Sequence, residues 1–201
     1  MPYKYANTSA EDKLPPGCPD LALLVLSPLF LVICIVNLFT PECSVFFSHE
    51  RRGRRGKPFT IYKFQTMKNN TPNCATGELE NPEQYITKFG KFLRKTSLDE
   101  LPQLWNILKG DMSFVGPRPL ISSEMRAHRL RLEYGVYRFR PGLTGWAQIN
   151  GRDSISLLRK MKLDKEYCDN WSLKLDLIIL LRSVGAVVKQ EGFHEGTYHR
   201  R

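Results

Sequence analysis

The sequence predicts a mostly helical α+β fold with one apolar segment built for a membrane surface. Three observations predict it. Helical patterning dominates from residue 84 onward, while one stretch, Lys57 to Met67 (KPFTIYKFQTM), carries the aromatic and β-branched content of a strand. The most apolar run, Leu21 to Phe39, is interrupted by Ser27-Pro28.

In chain order, residues 1–20 form a polar segment with Pro15, Pro16 and Pro19. Residues 21–39 follow as the apolar element. As one straight helix they would measure about 28 Å at ~1.5 Å per residue, barely the hydrocarbon thickness of a bilayer. Pro28 removes a backbone donor and disfavours helix at Ser27, so the sequence predicts two short arms that enter the membrane and return, or lie in its interface. A buried helical hairpin fits the same stretch. The basic cluster Arg51, Arg52, Arg54, Arg55 and Lys57 lies after the run, not before it as in a signal peptide. The positive-inside tendency then places this flank and the domain over residues 40–192 on the cytoplasmic side, with a basic tail at 193–201.

After the strand, residues 68–83 read as loop, rich in Asn, Pro, Thr and Gly. Helices are expected over 84–96 and from Ser97 to Lys109, the second ended by Gly110. A loop stiffened by Pro117 and Pro119 spans 110–120, and a basic amphipathic helix spans 121–138. Residues 140–152 form another Gly/Pro loop. The portion 154–189 is expected to be helical, with an apolar strip at Leu173, Leu177, Leu180, Leu181, Val184, Val187 and Val188.

Composition narrows the chemistry. The net charge of +10 calls for anionic partners: nucleic acid, lipid headgroups or phosphorylated substrates. Five widely spaced cysteines without a C-x-x-C argue against a disulfide framework or zinc ribbon, and the four histidines form no H-E-x-x-H. Gly53-Arg54-Arg55-Gly56-Lys57 lacks the spacing of a Walker loop, and no G-x-G-x-x-G is present. Aromatic residues sit mainly in apolar segments, not along a basic stripe, which counts against nucleic-acid binding.

The sharpest motif is Ser97-Leu98-Asp99-Glu100-Leu101-Pro102. Ser97 and Glu100 have the spacing of a capping box, and acids are favourable in a first helical turn. The same two carboxylates, Asp99 and Glu100, have a chemical reading: one holds a divalent metal against a diphosphate while the other attacks phosphorus. Gly116-Pro117-Arg118-Pro119 aims a guanidinium from a stiff turn, either as a plain surface turn or as a bidentate phosphate ligand. Lys63, Arg94, Arg140 and Arg152 add cations within patterned segments.

These blocks make the chain resemble the bacterial sugar transferase family, the monotopic polyprenyl-phosphate phosphoglycosyl transferases. The matching stretches are SPLFL (27–31), GKPFTIYKFQTM (56–67), LRKTSLDELPQLWNILKGDMSFVGPRPL (93–120), RPGLTGWAQINGR (140–152) and NWSLKLDLIIL (170–180), within a resemblance from about residue 21 to 192. The resemblance implies that Asp99 is a nucleophile that takes a sugar phosphate from a UDP-sugar, releases UMP and passes the group to a polyprenyl phosphate. It implies Mg²⁺ held with Glu100 and Asp99, with Glu100 also able to assist proton transfer. It implies phosphate contacts from Arg118, Arg94, Lys63, Arg140 and Arg152, and a re-entrant helix broken at Ser27 and Pro28 beside a small core with interfacial helices. The location would be the cytoplasmic face of the bacterial inner membrane, among anionic lipids, with downstream glycosyltransferases as partners in building exopolysaccharide, O-antigen or protein-linked glycans. Three departures from the family pattern are the short arm before Ser27, Gln65 in KFQTM and Ser48 in FFSHERRG. The short arm motivates a second expectation, an inactive homologue that serves as a membrane-bound assembly partner.

Overall fold

The apolar run forms one helix, α1 (Cys18–Leu38), in the computed structural model, which describes residues 18–72, 81–151 and 154–189. A single helix therefore runs through Ser27-Pro28, where the sequence predicted two separate arms. The reason is local chemistry. Proline lacks the N–H that would bond the carbonyl four residues back, which is that of Leu24. The Ser27 hydroxyl donates to this same carbonyl at 2.7 Å. The helix thus continues with its displaced acceptor satisfied. Its first residue precedes Leu21, so the polar segment ends earlier than expected; residues 1–17 and the tail 193–201 lie outside the described residues.

Among the described residues no helix is long and apolar enough to cross a membrane. One side of α1 nevertheless faces outward with Leu24, Val25, Leu31, Val32 and Ile35 exposed. The other side packs on the protein through Ile33, which is buried, and Phe30, whose ring lies 4.9 Å from that of Phe64. Buried Asn37 closes the helix end by donating to the carbonyls of Val45 and Gln65.

The expected strand is β2 (Pro58–Phe64), paired antiparallel with β1 (Phe46–Arg52) in register Phe47 with Lys63 and Arg51 with Phe59. The sequence did not single out β1, because FFSHERR carries four ionisable residues and lacks strand-like alternation. Two more short strands follow, β3 (Ser113–Val115) and β4 (Leu120–Ile121). Strand β4 pairs with β1, giving the order β2-β1-β4, so β2 lies at an edge.

Helix α2 (Lys88–Thr96) is capped by Thr87, whose hydroxyl accepts from the Gly90 amide at 2.9 Å. The expected helix 97–109 is divided: residues Leu98–Glu100 form a 3-10 turn and α3 (Gln103–Leu108) begins just after Pro102. Helix α4 (Met125–Glu133) is shorter than expected, since Gly135 at φ 67 ends it and residues 136–138 form a 3-10 turn. The expected loop 140–152 holds β5 (Gly142–Thr144), parallel to β3, and the short helix α5 (Trp146–Ile149). This pairing needs glycine. A Cβ on Gly142 would lie 2.1 Å from the Gly116 nitrogen.

The C-terminal portion is two helices, α6 (Leu157–Asp169) and α7 (Leu173–Lys189). Both Tyr167 (2.8 Å) and Trp171 (3.2 Å) donate to the Asp176 carboxylate, which ties the bend to α7. Helix α7 turns Ile179 into the core and leaves Leu173, Leu177, Leu181 and Val184 of the expected strip exposed.

Helices α4 and α6 are joined by Arg131 and Asp164, both 3% exposed and 2.6 Å apart. Removing one member of such a pair strands the other charge in a poorly solvated interior. Arg131→Met is expected to cost about 3–5 kcal/mol in denaturant unfolding, and Arg131→Met with Asp164→Leu to recover most of it. Equal losses in the single and double variants would contradict the stranded-charge account.

Candidate active site

The 3-10 turn Leu98–Glu100 projects two adjacent carboxylates toward β2. The Lys63 ammonium of β2 sits between them, 2.6 Å from Glu100 Oε1 and 3.8 Å from Asp99 Oδ2. Arg118, from the Gly116-Pro117-Arg118-Pro119 turn, places Nη2 3.4 Å from the same Glu100 oxygen. Arg94, in the last turn of α2, donates Nε to the Thr66 hydroxyl at 2.8 Å and is close enough to act on Asp99 electrostatically. Four residues scattered over residues 63–118 are thus drawn around Asp99.

The turn is held from behind. Asn106, fully buried on α3, donates Nδ2 to the Thr60 carbonyl at 2.7 Å and accepts from the Tyr62 amide at 3.2 Å. These are outward-facing backbone groups of edge strand β2, and one side chain satisfies both. On the other side, α2 lies directly on Thr66, where a Cβ on Gly90 would meet the Thr66 carbonyl oxygen at 2.1 Å.

Asp99 is nearly enclosed, at 9% exposure. Burial pushes its carboxyl above the usual carboxylate range. The Lys63 ammonium opposes that rise, Glu100 adds to it, and Arg94 and Arg118 oppose it. Sequence reasoning missed Arg51, which it treated only as part of a basic flank. Burial pushes the Arg51 guanidinium down to about 10; Arg118 pushes the same way, and Glu124 and Glu100 oppose it. The buried Nε of Arg51 has no hydrogen-bond partner. Its place opposite Phe59 and Ile121 on the central strand would have marked it, had β1 been recognised.

Not every expected residue joins this group. Arg140 lines a separate cavity with Arg54, Arg55 and Lys57. Arg152 lies outside the described residues. The capping box is not formed. Ser97 has left-handed backbone angles (φ 57, ψ 17), closes α2 with its amide, and makes no side-chain cap. Glu100 instead turns to Lys63 and Arg118.

Among the described residues no three His, Cys, Asp or Glu side chains cluster to hold a metal ion. The donor set present is two adjacent carboxylates. That suits Mg²⁺, which is commonly held by one or two carboxylates together with substrate phosphates and water rather than by an all-protein cage.

Comparison with known proteins places the chain in a family. The family model described as "Bacterial sugar transferase" matches residues 18–190, and the chain belongs to that family. It is 44% identical over 176 residues to the "Uncharacterized sugar transferase EpsL" of Bacillus subtilis (strain 168), covering 83% of this chain and 86% of the relative. It is 40% identical over 187 residues to the "Exopolysaccharide production protein ExoY" of Sinorhizobium fredii, covering 86% and 82%. A "UDP-galactose-lipid carrier transferase" of Erwinia amylovora is 37% identical over 187 residues, covering 86% of this chain but 39% of that longer protein.

The left-handed Ser97 yields a stability test. Ser97→Gly is expected to raise thermal stability modestly, by about 0.5–1 kcal/mol, because glycine takes left-handed angles without a Cβ penalty. A capping serine would give the opposite sign, since glycine there loses the side-chain acceptor.

Proposed function

We propose that this protein transfers a sugar 1-phosphate from a UDP-sugar to a polyprenyl phosphate, with Asp99 as the nucleophile. The observation that carries the reading is the enclosed Asp99-Glu100 pair, with Lys63, Arg94, Arg118 and Arg51 within electrostatic reach. Four cations against these two acids and Glu124, which faces Arg51, leave a surplus of positive charge where a diphosphate would lie.

In this mechanism an ionised Asp99 oxygen bonds to the β-phosphorus of the donor. The bond from that phosphorus to the bridging oxygen breaks, and UMP leaves. A phosphate oxygen of the polyprenyl acceptor then bonds to the phosphorus of the aspartyl phosphosugar. The bond to Asp99 breaks, the carboxylate is restored and the polyprenyl diphosphosugar departs. Donor and acceptor use one site in turn, which gives ping-pong kinetics. Lys63 holds Glu100 and faces Asp99, so it orients both acids and lowers the cost of ionising Asp99. Arg118, the most exposed of these cations at 52%, is placed to meet an arriving phosphate, and Arg51 offers an uncommitted donor. Glu100, with Asp99, would hold Mg²⁺, which neutralises diphosphate charge.

The acceptor's apolar tail sets the location. The exposed faces of α1 and α7, together with exposed Trp105 and Phe92, support seating in the cytoplasmic leaflet of the bacterial inner membrane, with α1 entering as a re-entrant element. Glycoconjugate assembly such as exopolysaccharide synthesis would consume the product.

Membrane-extracted protein with undecaprenyl phosphate, Mg²⁺ and a panel of UDP-sugars is expected to release UMP with at least one donor, and Asp99→Asn to abolish release. Folded, lipid-embedded protein that releases no UMP with any donor would sink the proposal. Because Asp99 must be ionised and its pKa is raised, the acid limb of kcat/KM is expected above the usual carboxylate range, whose reference is 3.8. Lys63→Met removes an opposing charge and should move that limb to higher pH. Arg51→Gln is expected to lower kcat/KM by about 10–100-fold with little change in thermal stability, as loss of a charged hydrogen bond to phosphate would do.

A further inference from the structure

The residues that the acids leave aside form a second basic site. An open cavity of about 400 Å³ is lined by Arg54, Arg55, Lys57, Pro58, Asp111 and Arg140. That volume lies within the roughly 300–1,000 Å³ of small-molecule sites. It opens at the Pro58 end of β2, while Lys63 serves the acids near the other end. At ~3.4 Å per residue these positions are about 17 Å apart, too far for one phosphate group to touch both.

Among the described residues that line the cavity, three arginines and a lysine meet a single acid, Asp111, which is already engaged by Lys109 at 3.3 Å and by Asn106 at 3.5 Å. Arg54 is fixed in place, its Nε donating to the Arg138 carbonyl at 3.0 Å. Among the described residues Arg55, Lys57 and Arg140 form no ion pair. The turn that presents them is tightly built: the Gly53 amide donates to the Lys57 carbonyl at 2.8 Å, and Arg55 has left-handed angles (φ 58, ψ 21). A non-glycine residue held there is uphill, and the surrounding turn enforces it.

We propose that this cavity is a second phosphate-binding site, separate from the Asp99-Glu100 pair, which takes a phosphate ester through Arg55, Lys57 and Arg140. Guanidinium groups from a strained turn and from the segment before β5 converge on one volume, a geometry suited to bidentate phosphate contact. The ester is either that of a soluble molecule or that of an anionic lipid headgroup at the membrane surface. The proposal does not depend on the transfer reaction, and its test involves no turnover.

The test is arginine modification by phenylglyoxal on the full-length protein, with each labelled peptide read by mass spectrometry. Labelling is compared with and without inorganic phosphate, and with phosphatidylglycerol vesicles against phosphatidylcholine vesicles. Protection of Arg55 and Arg140 by inorganic phosphate supports a soluble ester. Protection by phosphatidylglycerol alone supports a headgroup. Exposed Arg129 on α4 should react equally in all conditions. Lys57→Gln, at an exposed position, should raise the phosphate or phosphatidylglycerol needed for half-protection of Arg140 about tenfold. Unchanged labelling of Arg55 and Arg140 under both ligands overturns the proposal. So does equal protection of Arg129, which reports screening, or a half-protection point unmoved by Lys57→Gln.

Discussion

The Asn106 amide is the constraint on which the site depends. Strand β2 is an edge strand, and an edge exposes backbone donors and acceptors that would otherwise take water or another chain. Asn106 answers one of each, at Thr60 and Tyr62, and thereby pins α3 across that edge. The turn bearing Asp99 and Glu100 leads directly into α3, so this contact ties it to the strand that carries Lys63. A hydrophobic residue there would fill the volume but leave the part-buried Thr60 carbonyl and Tyr62 amide without this partner. The amide therefore joins α3 to β2 beneath the acids and the lysine.

Charge at the site follows from how these elements meet. Asp99 is enclosed and costly to ionise, while Glu100 binds the lysine closely. Lys63 cannot neutralise both acids, so the remaining attraction comes from Arg94, Arg118 and Arg51, reached from three different elements. Here a hydrogen-bonded strand, a helix terminus and a proline-flanked turn hold the cations in place.

Much of this arrangement was legible in the sequence. The Asp99-Glu100 pair, Lys63, Arg94 and Arg118 stood out in compact blocks, and strand β2 showed its aromatic and β-branched character. Strand β1 did not, because its run of ionisable residues, His49 to Arg52, breaks the alternation that marks a strand. Arg51 was hidden with it. The division of 97–109 was also missed: Ser97 and Glu100 have capping-box spacing, but Pro102 starts a new helix and Ser97 turns left-handed to close the previous one. Arg140 was grouped with the acids on motif alone. Only the fold shows that it lines a cavity at the far end of β2.

The Ser27-Pro28 pair has a consequence for the hydrogen-bond balance of α1. Proline deletes one donor, and serine supplies one, to the same Leu24 oxygen. The exchange leaves the helix's inventory of donors and acceptors in balance while relaxing the rigid ladder of amide bonds at mid-length. In hydrocarbon, where an unanswered carbonyl costs several kcal/mol, such a substitution makes a point of compliance that is electrically silent. In the membrane seating proposed above, α1 would thus keep its Leu24 carbonyl answered at the point where the ladder is interrupted.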